Sequence, residues 1–167
     1  MAEPARATDV PELEAQSWPL RWHGFLLRFL IWAAAALYLA RAAALLLGWT
    51  YPGADVRGAV YAALPAMIAL DALLALSCVA AAIVLVCARA ALKRRRDRGP
   101  RLLRAGFALS LAGTLAYALG RRLFAGLSPL SPALIARAAA AYALIWINAS
   151  YYRKRRALFA PTEGGRI

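Results

Sequence analysis

The sequence predicts an all-α integral membrane protein, a bundle of four transmembrane helices with both termini on the cytoplasmic side. Three observations predict it. Hydrophobic residues make up 63% of the 167-residue chain and the mean hydropathy is +0.56, whereas an ordinary soluble domain is about half apolar. The apolar residues fall into four long runs, as crossing a bilayer with roughly 20 residues per helix requires. The 21 Lys and Arg, set against 8 Asp and Glu for a net charge of +13, gather at the ends of those runs, where membrane proteins keep their cytoplasmic positives.

Residues 1–21 hold Pro4, Pro11 and Pro19 among Glu3, Asp9, Glu12 and Glu14, and read as a flexible tail. Trp18, Trp22 and Phe25 mark a membrane interface. The first span covers 25–47, with Arg28 near its start and Arg41 well inside. It is too long for a signal-peptide core and its leading tail is acidic, so it reads as an uncleaved span. A short loop, 49–58, leads to a second span at 60–86 whose helix continues to about 96. Pro65 near its start bends the helix. Gly99-Pro100 breaks it, and a third span follows at 102–119, closed by Arg121 and Arg122. Ser131-Pro132 reads as N-cap and first helical residue of a fourth span at 133–151, which ends in Arg153, Lys154, Arg155 and Arg156. The membrane domain is thus 22–159, and 160–167 is a second flexible tail.

Loop charge orients the chain. The 89–104 segment carries eight basic residues and one acid, against one Arg in 49–58 and two in 121–131. The 89–104 loop and the C-terminus are therefore cytoplasmic, and four spans return the N-terminus to the same side. Trp49, Tyr51 and Tyr61 read as the outer aromatic belt, with Trp22, Tyr151, Tyr152 and Phe159 as the inner one. In the third span Ala108, Ala112, Ala116 and Gly120 recur every four residues, with Ser110 and Gly113 nearby, a small-residue stripe suited to close helix packing.

Asp71 is the one acid inside any span. Counted from the start of the second span it lies about 16 Å deep at 1.5 Å per residue. Arg41 and Arg137 lie within reach from the outer side. Two roles are open for this intramembrane polar cluster: an ion pair that fixes helix docking, or a water-lined site that carries a proton or a cation. The basic loop matches the positive-inside signal and attraction to anionic headgroups, and nothing in it points to nucleic acid. Cys78 and Cys87 lie nine residues apart, about 13.5 Å along a helix and on opposite faces, so they cannot pair. The sole histidine, His23, stands beside Trp22 as an interface residue. With one histidine and one intramembrane acid, no metal site or other cofactor is expected. No activated nucleophile, phosphate-binding loop or zincin motif is present, so no enzymatic activity is expected. Asn148-Ala149-Ser150 matches a glycosylation sequon at the inner end of a span, where it would not be used.

The stretch Asn148-x-x-Tyr151-Tyr152-x-Lys154-Arg155-x-x-Leu158-Phe159 comes after Val60-Tyr61-x-x-x-Pro65-x-x-x-x-Leu70-Asp71 in the chain. With Trp22-x-x-Phe25, Gly48-x-x-Tyr51 and the loop from Arg89 to Pro100, these stretches resemble a group of small uncharacterised four-helix membrane proteins of bacteria. The likeness covers most of 22–159. This chain departs from the group in its richer Ala and Arg content and in Ala75, where a glycine is more usual. The resemblance implies the bacterial cytoplasmic membrane and a kinked helix presenting Asp71, but no chemistry. Read on their own physics, Asn148 bonds across helices, Tyr151 and Tyr152 sit at headgroup depth, Lys154 and Arg155 meet anionic lipid, and Leu158 and Phe159 turn back into the interface. The expected role is a structural or interaction subunit, contacting lipids, a partner protein or further copies of itself. The alternative is a small transporter or ion-conducting oligomer that uses Asp71.

Overall fold

The computed structural model describes residues 21–126, 132–155 and 159. The two predicted tails (apart from Arg21), Trp18, Ser131, Arg156 and Leu158 lie outside them. The described chain is helical and contains no strand. Four helices are long and apolar enough to cross a membrane: α1 (Arg21–Leu47), α3 (Ala66–Lys93), α4 (Arg98–Ala125) and α5 (Pro132–Arg153). A short helix, α2 (Ala54–Ala63), precedes α3.

Helix α1 is not uniform. It loosens into a π turn over Leu26–Leu30, where the Ile31 N–H reaches back five residues to the Leu26 carbonyl. Such an insertion widens a helix locally and rotates the turns beyond it. Leu26 and Ile31 are both fully buried. On a regular α-helix, residues five apart diverge by about 140°, so only the π turn lets both enter one core. Arg89 of α3 supports the turn. Its Nε donates to the Leu27 carbonyl at 2.9 Å, and its guanidinium lies 5.0 Å from the Trp32 ring centroid. Arg89→Met is expected to cost roughly 1.5–3 kcal/mol, the range for a hydrogen bond to a charged group, read as a fall in thermal unfolding temperature in detergent.

The chain leaves α1 through Gly48, at φ 79 in the left-handed region. The Gly48 and Trp49 amides close the helix on the Leu45 and Ala44 carbonyls at 3.2 and 2.8 Å. A Cβ here would be strained by the positive φ, so the turn favours glycine, and the space it leaves is taken by the Arg57 side chain.

The second predicted span divides in two. Leu64 stands at φ −136, ψ 74, because a residue before proline is pushed out of the α region. Residues 54–63 therefore form the separate helix α2, whose described side chains are exposed or half-buried, and α3 begins only at Ala66. The break at Pro65 is complete, rather than the bend the sequence suggested.

Helices α3 and α4 form the tightest pair, joined by a turn over 94–97 in which Arg95 takes φ 49. Gly99 and Pro100 are not the break themselves. They lie in the first turn of α4, where a proline displaces no intrahelical hydrogen bond. Gly99, Gly106, Gly113 and Gly120 recur every seven residues along α4 and all face α3. A Cβ on Gly106 would meet Leu85 Cδ2 and Cγ at 2.8 and 2.9 Å, and one on Gly99 would meet the Leu92 backbone N at 2.9 Å. The contact stripe is thus this glycine heptad. Ala108, Ala112 and Ala116 of the expected four-residue stripe are exposed, and of that set only Gly120 is buried. A period of four drifts around a helix of 3.6 residues per turn, whereas a period of seven keeps one face.

Helix α1 packs on α3 and α5 packs on α4. The main core lies at the end of the helices that holds the α3–α4 turn, where Leu26, Ile31, Leu85, Ala88, Leu92, Leu103, Phe107, Tyr152 and Phe159 cluster. A smaller cluster of Ala42, Leu45, Leu74, Ala75 and Cys78 sits toward the other end. Cys78 is buried and Cys87 exposed.

Candidate functional site

Two polar constellations stand out, one at each end of the helices. One, at the end where α3 begins, centres on Asp71, only 3% exposed. Because α3 starts at Ala66, Asp71 lies in its second turn, about 8 Å from the helix start. Its carboxylate accepts three tyrosine hydroxyls. Tyr51 and Tyr61 both donate to Oδ2 at 2.8 Å, and Tyr117 donates to Oδ1 at 2.9 Å. Three separate segments supply them: the turn after α1, the exposed helix α2, and α4. The Tyr51 and Tyr61 rings meet edge to face with centroids 5.7 Å apart. Arg57 of α2 stacks on Tyr61 at 5.2 Å and donates to the Leu46 carbonyl at 3.3 Å. The carboxylate thus ties the turn after α1 and the short helix down onto the α3–α4 pair.

Of the two roles open for this cluster, the ion pair is not formed: Asp71 makes no salt bridge with Arg41 or Arg137, and its carboxylate is held by the three hydroxyls instead. Arg41 Nη1 instead donates to the buried Thr114 Oγ1 of α4 at 3.4 Å. Arg137 is exposed on α5. Burial first, and the Asp71 carboxylate second, hold the Tyr51 phenol well above its ordinary range, so Tyr51 remains a neutral donor.

Sequence reasoning missed all three donors. Tyr51 and Tyr61 read as belt residues, and Tyr117 carried no assigned role. One signal was available for Tyr117. It lies three residues before Gly120 and four after Gly113, on the glycine face that meets α3, where a tyrosine hydroxyl needs a buried acceptor.

The second constellation joins the start of α1 to the end of α5 and to Phe159. Asn148 is fully buried. Its Oδ1 accepts the Trp22 indole N–H at 3.2 Å, and its Nδ2 donates to the Leu144 carbonyl at 2.7 Å. His23 Nδ1 and the Tyr152 hydroxyl are 3.0 Å apart. Phe159 packs edge-on against both rings, at 5.9 and 5.3 Å, and Tyr151 meets Tyr152 at 5.0 Å. Arg155 lies over the Tyr151 ring at 3.9 Å, while Lys154 is exposed. The C-terminal motif is therefore a clamp on the start of α1. Asn148→Ala removes the acceptor of the half-buried indole N–H and empties a fully buried site, and is expected to cost about 1–3 kcal/mol, measured as lost thermal stability with protection of the first helix reduced in hydrogen exchange.

Among the described residues no cluster of three or more His, Cys, Asp or Glu could hold a metal ion. Fold and sites together define a class: an all-helical chain with four helices of membrane-spanning length, pinned at each end by a buried polar tie. Comparison with protein-family models, curated proteins and solved structures returned no match.

Proposed function

We propose that this chain is a multi-pass protein of the bacterial cytoplasmic membrane, with both termini inside, and that it serves as a non-enzymatic structural or interaction subunit. The observation that carries the proposal is the engagement of both Asp71 oxygens by three hydroxyls. A carboxylate that works by binding a cation or passing a proton needs an open coordination position or a water path. Here three neutral donors from three segments converge on it, the arrangement that fastens a cap. The basic inner surface supports the orientation, since Lys93 to Arg96, Arg98, Arg101 and Arg104 cluster where α3 turns into α4, as the positive-inside rule requires. The exposed helix α2 and the basic turn are the surfaces offered to lipid headgroups, a partner protein or a second copy.

Reconstituted vesicles test the reading. Proteoliposomes of the wild type are expected to match empty ones in proton and monovalent-cation flux, while Asp71→Asn loosens protease protection of α2. Cation or proton flux that Asp71→Asn abolishes would replace this reading with transport.

A further inference from the structure

A groove of about 590 Å³ opens at the inner end between the start of α4 and the end of α5. Arg101 and Arg104 line it from α4 and Arg153 from α5, while Trp146, Tyr152 and Phe159 supply aromatic walls. Asp97 also borders it, so three guanidiniums face one carboxylate and the lining is net positive. Arg101 and Arg104 are three residues apart and so share a helix face. Trp146 lies seven residues before Arg153, about 10 Å farther along α5, and is 63% exposed.

We infer that this groove is a binding site for one anionic phospholipid, its phosphate held by Arg101, Arg104 and Arg153 and its first acyl segment lying along Trp146. This rests on the membrane reading proposed for the chain. Charge complementarity identifies the headgroup. Arginine suits phosphate because its planar fork donates two parallel hydrogen bonds, and basic pockets between spanning helices on the cytoplasmic side recognise anionic headgroups. The aromatic wall below the arginines selects a lipid over a soluble phosphate, which would meet the charges and leave the Trp146 ring uncovered. Tyr152 and Phe159, which also line the groove, are buried members of the clamp on α1.

The test is lipid retention on the full chain in detergent, read by native mass spectrometry with phosphatidylglycerol and phosphatidylcholine of identical chains. Wild type is expected to retain phosphatidylglycerol roughly tenfold better, a modest share of what three surface arginines can contribute. The combined R101Q, R104Q and R153Q variant loses that preference. A control that removes equal charge outside the lining, K93Q, R94Q and R96Q, keeps it. W146A lowers retention of both lipids without altering charge, and it decides the matter if the arginine variant does not fold. Equal loss in the two charge variants would show a diffuse surface field and overturn the site, as would no preference in the wild type. Displacement of the lipid by equimolar glycerol phosphate would also overturn it, making a free phosphate the ligand. Failure of the membrane reading shows separately, as release of the chain from membranes by alkaline carbonate.

Discussion

Asp71→Asn is expected to destabilise the protein by about 2 kcal/mol, and Asp71→Leu by about 4 or more. Hydrogen bonds to a charged group contribute roughly 1.5–3 kcal/mol each, and a buried donor left unpaired costs about 1–3. Asparagine retains one oxygen for Tyr51 and Tyr61 but loses the charge that strengthens both bonds. Its amide nitrogen replaces Oδ1, the oxygen to which Tyr117 donates. Leucine leaves three hydroxyls without an acceptor. A double-mutant cycle checks the assignment in detergent. Asp71→Asn and Tyr117→Phe should couple by roughly 0.5–3 kcal/mol, as groups in direct contact do. Asp71→Asn and Arg41→Gln should couple far less, since they share no hydrogen-bond partner: Arg41 donates to Thr114. Strong coupling to Arg41 with none to Tyr117 would sink the tyrosine tie and restore an ion pair.

The second large effect lies in the α3–α4 seam. Gly106→Val is expected to cost about 3 kcal/mol, whereas Ala112→Val stays within roughly 0.5. Two terms oppose each other at Gly106. Replacing a mid-helix glycine gains at most about 1 kcal/mol in helix propensity. Overpacking a close-packed contact costs about 1–3 kcal/mol, and here the first added atom already stands 2.8 Å from Leu85 Cδ2 and 2.9 Å from its Cγ. Leu85 is fully buried and cannot swing aside, so the clash outweighs the propensity gain. Ala112 is exposed, and a larger side chain there meets no neighbour. Thermal unfolding of both variants with their wild type decides it. Equal effects would return the seam to the alanine face.

The sequence by itself determined what depends on local composition. Runs of about twenty apolar residues must be helical if they are to satisfy their own backbone in a medium without water, so the four long helices were legible. The same holds for a basic turn between α3 and α4, and for Asn148, whose place near the inner end of an apolar run demanded a partner on another helix. Tertiary structure alone decided which faces meet and which polar groups find each other. The complete break at Pro65 put Asp71 in the second turn of α3, and the fold of the turn at Tyr51 and of α2 over it brought in hydroxyls 20, 10 and 46 residues away in sequence. The choice between the alanine period of four and the glycine period of seven needed the crossing of α4 on α3. The π turn in α1 has no compositional mark, because it exists to aim Leu26 and Ile31 into one core. Spans are written in hydropathy, which is local. Partners are written in side-chain geometry, which the packed helices create.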